Sequence, residues 1–395
     1  MRTHRRRLSA FVLVVVLTGC GPTSSSTQMA ASVEQSVAPG AVASSTASPA
    51  AFPTAVFASL GEKPVSDDLA AELQAVLNDM ANGAGISATV MSGDGTWSGA
   101  TGKADDVRDV TVDDQFAIAS VTKSVVAAQV MQMVEAGELG LDDPAADHLP
   151  PDLNFDTNGA TIRQLLGHRS GLPGIDPAVF DAAVQESPTA DRQRVWTPAE
   201  ILELVLPDRD PPGQTFAYTN TNYLLLGLVI EQLRGRPIAE VLRDGVLSIE
   251  GVERLIYQPD EMPTEPMAMP FGGSTDNLEE GGGYLPSLAG ASVDGAAAAM
   301  ASDSPALARW WRAFCAGEVV SQTSLAEMTT MHDGYGLGLY QPDPPGTVGH
   351  GGEHVGYTSL AGCLPEQGVV VVVLSNDDMI DTSAVAEPLV DAVTD

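Results

Sequence analysis

Hydrophobic periodicity is clearest near the two ends of the chain. Residues 67–80 carry apolar side chains at helical spacing and predict an amphipathic helix. Residues 86–91 then have the pattern of a buried strand, followed by a Gly-Asp-Gly turn at 93–95 and a second strand through Trp97. Two short strands joined by a glycine-containing turn predict a β-hairpin.

The carboxyl-terminal part shows a second β pattern. Tyr357 to Cys363 predicts one strand, residues 364–368 a turn, and Val369 to Leu374 a continuously apolar strand, after which Ser383 to Val393 predicts a closing helix. Residues 121–331, in between, are mostly helical in pattern, with loops rich in proline and glycine. We therefore expect an α/β (α+β) fold, in which both chain ends form an antiparallel sheet flanked by helices, with a mostly helical inserted lobe.

The amino terminus has the features of a targeting segment. Four arginines precede an apolar run over residues 8–17. The last residue of the run begins the segment Leu17-Thr18-Gly19-Cys20. A basic start and a short apolar run are typical of a secretory signal, and the run is too short to span a bilayer as a helix. The segment 17–20 resembles the bacterial lipobox, although an ordinary signal peptide with a chance cysteine is the alternative. We predict a signal peptide over 1–19 and an exported protein anchored by a lipid on Cys20 to the outer face of the cell membrane.

A low-complexity segment follows the signal. Residues 20–62 are dominated by Ser, Thr, Ala and Pro and lack helical or strand periodicity. Such a composition predicts a tether that does not form a core of its own. This leaves residues 63–395 as one folded domain.

Charge and missing motifs exclude several classes of protein. Lys and Arg number 19 against 52 Asp and Glu, for a formal charge of −33, which argues against a nucleic-acid partner. The sequence also lacks Gly-x-Ser-x-Gly, a Gly-Lys-Ser/Thr phosphate loop, His-Glu-x-x-His and Cys-x-x-Cys. An ordinary α/β-hydrolase, a nucleotide-binding enzyme and a zinc hydrolase are therefore disfavoured, and we expect no cofactor and no metal.

A strongly apolar helix in the middle of the chain begins with a serine and a lysine three residues apart. Ser120 lies at the N-cap or in the first turn, and the spacing places Lys123 on the same face. Burial and the positive end of the helix dipole both lower the pKa of such a lysine, so its neutral amine can take a proton from a hydroxyl. The helix amides around Ser120 favour the negative charge of an oxyanion. On these residues alone, an N-cap serine beside a lysine that reaches solvent is an equal alternative.

Two further segments carry polar groups suited to the same chemistry. Tyr218 and Asn220 stand on a loop that enters an apolar helix; the tyrosine could ionise partly or relay a proton, and the asparagine amide can bind a carbonyl. Further on, His350 and two glycines precede a predicted strand. Glycines there let a substrate backbone lie against a strand edge, while His350 offers a donor or a switchable positive charge to a carboxylate.

Taken in order, these three segments resemble the serine β-lactamase and penicillin-binding protein family. The resemblance is strongest to the branch of class C β-lactamases, DD-carboxypeptidases and related esterases, and it covers about Leu69 to Val393. It implies a β-lactamase/transpeptidase-like fold and a serine hydrolase that forms an acyl-enzyme.

The resemblance also implies a role for each site residue. Ser120 would be the acylated nucleophile, with Lys123 and Tyr218 as the pair that transfers protons. Asn220 would hold the substrate amide and orient Lys123. His350 would contact a substrate carboxylate.

The glycine-rich segment would supply the rest of the substrate site. The backbone amides of Ser120 and Glu353 would form the oxyanion hole, and Gly351 and Gly352 would bind substrate alongside it. Glu353 departs from the small residue usual in the family, and its carboxylate would repel an anionic substrate unless it points away. The histidine at 350, where many members have lysine, is typical of DD-peptidase-like and esterase-like members.

The implied activity is hydrolysis of D-Ala-D-Ala-type peptides, β-lactams or related amides and esters by a monomer. Two alternatives are a promiscuous esterase of the same fold and a catalytically weak penicillin-binding sensor. A Ser-His-Asp triad using His350 is a mechanistic alternative, although no acidic partner stands near it in the sequence.

The remaining candidates have structural readings. We expect His168 to hydrogen-bond a loop near the site and His354 to lie at its rim. Tyr257 to Gly283 has few clear elements and is interpreted as a long loop that sets substrate choice. Cys315 and Cys363 are either a disulfide or two separate buried thiols.

Overall fold

The computed structural model describes residues 51–80, 82–175, 191–273, 276–278 and 282–394. The predicted signal peptide, the lipidation site Cys20 and most of the predicted tether lie outside these residues. The described residues all belong to one compact unit. None of the helices in this part of the chain is long and apolar enough to cross a membrane.

Strands in the described residues form two antiparallel sheets. Their bounds are β1 (Ile86–Ser92), β2 (Gly95–Thr101), β3 (Phe116–Ala117), β4 (Ile256–Tyr257), β5 (Met300–Ser302), β6 (Val348–His354), β7 (Tyr357–Leu364) and β8 (Val369–Ser375). The larger sheet has the order β2-β1-β8-β7-β6, and the smaller one the order β3-β5-β4. Because β1 pairs directly with β8, the prediction of a sheet built from both chain ends is confirmed.

Helices occupy both faces of the larger sheet and the inserted lobe. Their bounds are α1 (Thr54–Ala58), α2 (Asp67–Met80), α3 (Thr122–Glu135), α4 (Ile162–Leu166), α5 (Pro198–Leu202), α6 (Asn220–Arg234), α7 (Ile238–Asp244), α8 (Leu288–Ser292), α9 (Gly295–Ala298), α10 (Ser304–Cys315), α11 (Gln322–Met328) and α12 (Thr382–Thr394). Two short 3₁₀ helices, Ala119–Val121 and Ala145–His148, complete this part. The mixed helix and antiparallel-sheet fold agrees with the sequence prediction.

The continuous apolar run of β8 is explained by burial on both faces. Successive strand residues point to opposite sides, so Val371 and Val373 pack in a core with Leu389 of α12, while Val370 and Val372 join the larger core with the helical lobe. Every residue of β8 is buried. The sheet therefore packs against the helical lobe on one face and against α12 on the other.

The ordered domain begins earlier than predicted. The composition predicts that residues 51–62 belong to the tether, but α1 lies within them, and Phe52, Phe57 and Leu60 are buried in the larger core. That part of the tether prediction is wrong. Isolated apolar side chains among small residues leave no periodic signal, yet a fully buried phenylalanine ring is worth about 2 kcal/mol of hydrophobic stabilisation.

A disulfide connects a lobe helix to the sheet. The structure joins Cys315, at the end of α10, to Cys363 in β7. Both residues are fully buried. Of the two states that the sequence left open, the structure therefore contains the bridged one.

Candidate active site

A bent backbone segment presents Ser120 ahead of helix α3. Ala119, the residue before it, has φ 48°, in the left-handed region that side chains disfavour. The bend is held from two strands, because the amide of Ile118 donates to Met300 O at 3.0 Å and the hydroxyl of Ser359 donates to Ile118 O at 2.7 Å. Strained backbone that persists in this way is a common feature of functional sites.

Lys123 lies fully buried beside Ser120. Its Nζ is 2.9 Å from Ser120 Oγ, 2.8 Å from Asn220 Oδ1 and 3.0 Å from Ala297 O. Burial lowers the pKa of Lys123 to about 7, against the opposing charge of Asp294. The alternative of a lysine that reaches solvent is therefore wrong, and about half of the amines are neutral at pH 7.

Tyr218 and Asn220 reach the same point from the start of helix α6. Thr219 caps that helix by accepting a hydrogen bond from Thr221 N, which turns the chain so that both neighbours face Lys123. An interaction with the Ser120 side chain lowers the pKa of the Tyr218 phenol in part, and the Tyr218 ring centroid lies 4.9 Å from Lys123 Nζ. Desolvation raises the pKa of Tyr218 above its ordinary value, so the phenol is protonated at neutral pH and suits a proton relay better than a phenolate base.

His168 holds the turn that carries Tyr218. Its Nδ1 lies 3.2 Å from the amide of Thr219 and 3.0 Å from Asn222 Nδ2, both of which can donate to it. Its ring packs against the Tyr218 ring at a centroid distance of 4.2 Å. Burial and the charge of Lys123 lower the pKa of His168, which keeps the imidazole neutral. The geometry fits the structural role expected for this histidine.

The glycine-rich segment precedes the strand predicted at Tyr357, which is β7, and is itself the edge strand β6, which the sequence analysis did not predict. Its residues pair with β7, with His350 opposite Ala361. Glycines have low strand propensity, which hid the strand from sequence patterns. A Cβ atom at Gly352 would lie 2.4 Å from Ile118 O and 2.9 Å from Ser120 N, so only glycine lets this strand approach the serine.

Side-chain directions alternate along β6, so positions 351 and 353 face the side of the strand opposite to position 352. The amide of Gly351 donates to the Tyr340 hydroxyl at 3.1 Å. Glu353 is exposed, and strand alternation directs its side chain away from Ser120. The carboxylate thus lies on the side of β6 opposite the serine, as the sequence analysis required for an anionic substrate.

His350 is buried and engaged with the protein. Its Nε2 lies 3.0 Å from the Tyr335 hydroxyl and its Nδ1 2.5 Å from Gly351 O. Burial and the charge of Lys123 lower the pKa of His350 to about 3, so the ring is neutral at physiological pH. No carboxylate is among its hydrogen-bond partners in the described residues, which gives no support to a Ser-His-Asp triad.

Sequence reasoning missed an acidic partner at the far end of β6. His354, predicted as a rim residue, places Nε2 2.8 Å from Asp294 Oδ2. Asp294 immediately precedes helix α9 and lies 60 residues before His354 in the chain. In a chain with 52 acidic residues, no local pattern distinguishes this one.

A cavity of about 90 Å³, partly open to solvent, lies beside this pair. It is bounded by His354 and by the described part of the loop predicted to set substrate choice, including Gln258, Met267 and Pro270. No group of three or more His, Cys, Asp or Glu side chains among the described residues is arranged to hold a metal ion.

A bent serine turn, a buried lysine and a glycine-lined edge strand define the class of β-lactamase and penicillin-binding folds. Residues 70–394 match the sequence profile of the family described as Beta-lactamase. The chain belongs to that family, as its motifs predicted.

The relatives include penicillin-binding proteins and an amidohydrolase. Penicillin-binding protein 4 of Amycolatopsis lactamdurans is 30% identical, over 68% of this chain and 73% of that protein. Penicillin-binding protein 4* of Bacillus subtilis is 25% identical over 69% of this chain, which spans only 62% of that protein's length. Among solved structures, a D-stereospecific amidohydrolase from Streptomyces has 28% identity and a TM-score of 0.65, covering 80% of this chain and 96% of its own.

Proposed function

We propose that this protein is a serine hydrolase that forms an acyl-enzyme on Ser120. The observation that carries the proposal is the 2.9 Å distance between Ser120 Oγ and the Nζ of a fully buried Lys123. Neutral Lys123 accepts the hydroxyl proton while Oγ bonds to the carbonyl carbon of the substrate. Asn220 keeps the amine in place by accepting from it at 2.8 Å.

Tyr218 returns the proton to the leaving group. As the tetrahedral intermediate collapses, the bond from carbon to the leaving nitrogen or oxygen breaks, and the departing atom takes a proton from the Tyr218 hydroxyl. The phenol is in turn reprotonated from Lys123. Water then attacks the acyl-enzyme by the same path in reverse, with Lys123 and Tyr218 removing its proton. The 4.9 Å distance from Lys123 Nζ to the Tyr218 ring centroid supports this relay.

The developing oxyanion would be bound by the backbone amides of Ser120 and Glu353. The close approach of Gly352 to Ser120 N supports this arrangement, since the strand then runs directly past the reacting carbonyl. A backbone donor needs no particular side chain, so Glu353 is compatible with the role. Donors of this type contribute about 10²–10³ in rate each.

For the substrate, we propose an amide or ester bond next to a D-configured residue, as in D-Ala-D-Ala-type peptides, β-lactams and simpler D-amino-acid derivatives. The likeness to penicillin-binding proteins and to a D-stereospecific amidohydrolase supports this class. A neutral, engaged His350 provides no cation for a terminal carboxylate. This favours amide and ester substrates without a free carboxylate over D-Ala-D-Ala peptides, and makes an esterase the second candidate.

A matched pair of substrates tests the proposal. Acetylated Lys-D-Ala-D-Ala is compared with the same peptide carrying a carboxyl-terminal amide, with nitrocefin and a neutral p-nitrophenyl ester as further substrates. We expect turnover that is lost in Ser120→Ala, with a higher kcat/KM for the amidated peptide. A stable adduct with labelled penicillin without turnover of any substrate would support the penicillin-binding sensor instead. Hydrolysis that persists in Ser120→Ala would overturn the proposed mechanism.

We also propose that the protein is exported and anchored to the outer face of the cell membrane by a lipid on Cys20. The support is the sequence resemblance to a lipobox. Expression of the full chain in a bacterial host, followed by separation of membranes from soluble protein, tests the anchor. The wild type should sediment with membranes, and Cys20→Ala should not. Continued sedimentation of the variant would contradict the anchor.

A further inference from the structure

A hydrogen-bonded His–Asp pair joins the edge strand to the helical lobe beside the site. His354, the last residue of β6, lies 2.8 Å from Asp294, with side chains 29% and 17% exposed. Asp294 leads into helix α9, where Ala297 O accepts the hydrogen bond from Lys123 Nζ at 3.0 Å. The pair therefore links the strand that carries Gly352 to the helix that holds the lysine.

Within the pair, the charge of Asp294 acts on Lys123, and His354 acts on Asp294. The carboxylate of Asp294 raises the pKa of Lys123 against the effect of burial, and Lys123 in turn lowers the pKa of Asp294. Desolvation opposes charge on His354, yet its hydrogen bond to Asp294 and that carboxylate's charge raise its pKa above the ordinary value. A positive charge on His354, hydrogen-bonded to this carboxylate, would offset part of its effect on the amine.

Other titratable groups around the lysine do not supply this charge. The rings of Tyr218 and Tyr223 lie under the amine, and desolvation raises the pKa of both phenols, so neither carries a charge at neutral pH. His168 and His350 feel the charge of Lys123 and are kept neutral. Within the described residues, Asp294 is the one carboxylate whose charge raises the pKa of Lys123.

The pair has its own charged surroundings. Asp276, on the loop that borders the cavity, adds a negative charge that raises the pKa of His354. The hydroxyl of Tyr257 approaches the start of α9 at Gly295 and is protonated because burial raises its pKa. Asp276 thus favours the charged form of His354, whereas the protonated phenol of Tyr257 adds no charge to the pair.

We propose that Asp294 and His354 are a positioning pair that fixes helix α9 against β6 and balances Lys123 between its charged and neutral forms. The inference rests on the proposed function, in which Lys123 takes the proton of Ser120. It assigns no contact with substrate to either residue. A merely structural contact would leave the titration of Lys123 unchanged. In the positioning pair, loss of the Asp294 charge should lower the pKa of Lys123, and loss of the His354 charge should raise it.

The test measures how the rate of Ser120 acylation by a neutral p-nitrophenyl ester depends on pH. Asp294→Asn removes the negative charge, so the acid limb should move to lower pH by about one pH unit. His354→Gln leaves the carboxylate uncompensated, so the limb should move to higher pH. Asp294→Glu keeps the charge and should restore the wild-type midpoint, even where its maximum rate is lower.

A second His–Asp pair provides the matched control. His148, at the end of the 3₁₀ helix Ala145–His148, lies 3.0 Å from Asp143, and neither residue is among the groups that shift the pKa of Lys123. His148→Gln and Asp143→Asn should leave the midpoint unchanged. Thermal unfolding shows whether each variant is folded at the assay temperature. If one of Asp294→Asn and His354→Gln is not folded, the midpoints of the other variant and of Asp294→Glu decide the result.

Two results separate this inference from the proposed function. If wild-type protein acylates Ser120 but the two pair variants move the midpoint in the same direction or not at all, the positioning role is overturned while the proposed function stands. If wild-type protein acquires no acyl group on Ser120, the proposed function fails and this inference fails with it. Opposite movements in the two variants support the pair.

Discussion

Acylation of Ser120 should follow the titration of Lys123, since only the neutral amine can accept the serine proton. With a pKa of about 7, the lysine is about 1% neutral at pH 5, half neutral at pH 7 and about 99% neutral at pH 9. The acylation rate should therefore rise about 50-fold between pH 5 and 7, and only about twofold between pH 7 and 9. An unshifted lysine would instead keep raising the rate about tenfold per pH unit up to pH 10.

The assay is a stopped-flow measurement of the p-nitrophenol burst from a neutral ester, which avoids titration of the substrate. Lys123→Met serves as the matched variant, with a side chain of similar length and no titrating group. It should lose at least about 100-fold in acylation rate and show no limb near pH 7. A wild-type profile that is flat from pH 5 to 9, or that still rises tenfold per unit above pH 8, would refute the assignment of Lys123 as base.

The pH dependence of the free energy of unfolding provides a second, independent test of the lowered pKa of Lys123. Because the pKa of Lys123 is lower in the folded protein than its ordinary value of 10.5, the unfolded chain binds more protons between about pH 7 and 10.5. The free energy of unfolding should then rise with pH across that window, by on the order of 5 kcal/mol relative to Lys123→Met. Urea unfolding of both proteins at pH 7 and pH 10 measures the difference, and parallel behaviour of the two would contradict a buried, destabilised ammonium.

Three further substitutions test other parts of the site and the fold. Tyr218→Phe should lower kcat by about 10²–10⁴ with little change in Tm, because the hydroxyl is lost while the ring packing remains; steady-state kinetics and thermal unfolding measure both. Gly352→Ala drives a Cβ atom into Ile118 O, so the acylation rate should fall by at least about 100-fold while circular dichroism shows a folded protein. Replacing Cys315 and Cys363 together with Ser should lower the free energy of unfolding by about 2–4 kcal/mol, measured in urea against oxidised wild type.

Much of the fold could be predicted because its elements have strong periodic signals. The helix over Asp67–Met80 has the predicted bounds, and the two-sided burial of β8 explains why Val369 to Leu374 is uniformly apolar. The edge strand β6 was missed because its glycines carry no strand propensity; pairing with β7 and contact with Ser120 stabilise it instead. The short helix Thr54–Ala58 was missed because one buried ring, Phe57, makes no period.

The site shows a similar division between local and distant signals. Ser120 lies three residues before Lys123, in the 3₁₀ turn that leads into helix α3, so their contact could be inferred from spacing alone. The charge state of His350 could not, because its neutrality depends on burial and on Lys123, more than 200 residues away in the chain. Asp294 gave no signal either, since its partner His354 is brought to it only by the docking of the lobe on the sheet.

The most direct test of the central claim is the mass of the protein after brief incubation with a labelled penicillin or a p-nitrophenyl ester and an acid quench. We predict a single added acyl group, found by peptide mapping on the segment that contains Ser120 and absent from Ser120→Ala. A label on another residue, or hydrolysis by Ser120→Ala at the wild-type rate, would contradict the assignment of Ser120 as the nucleophile.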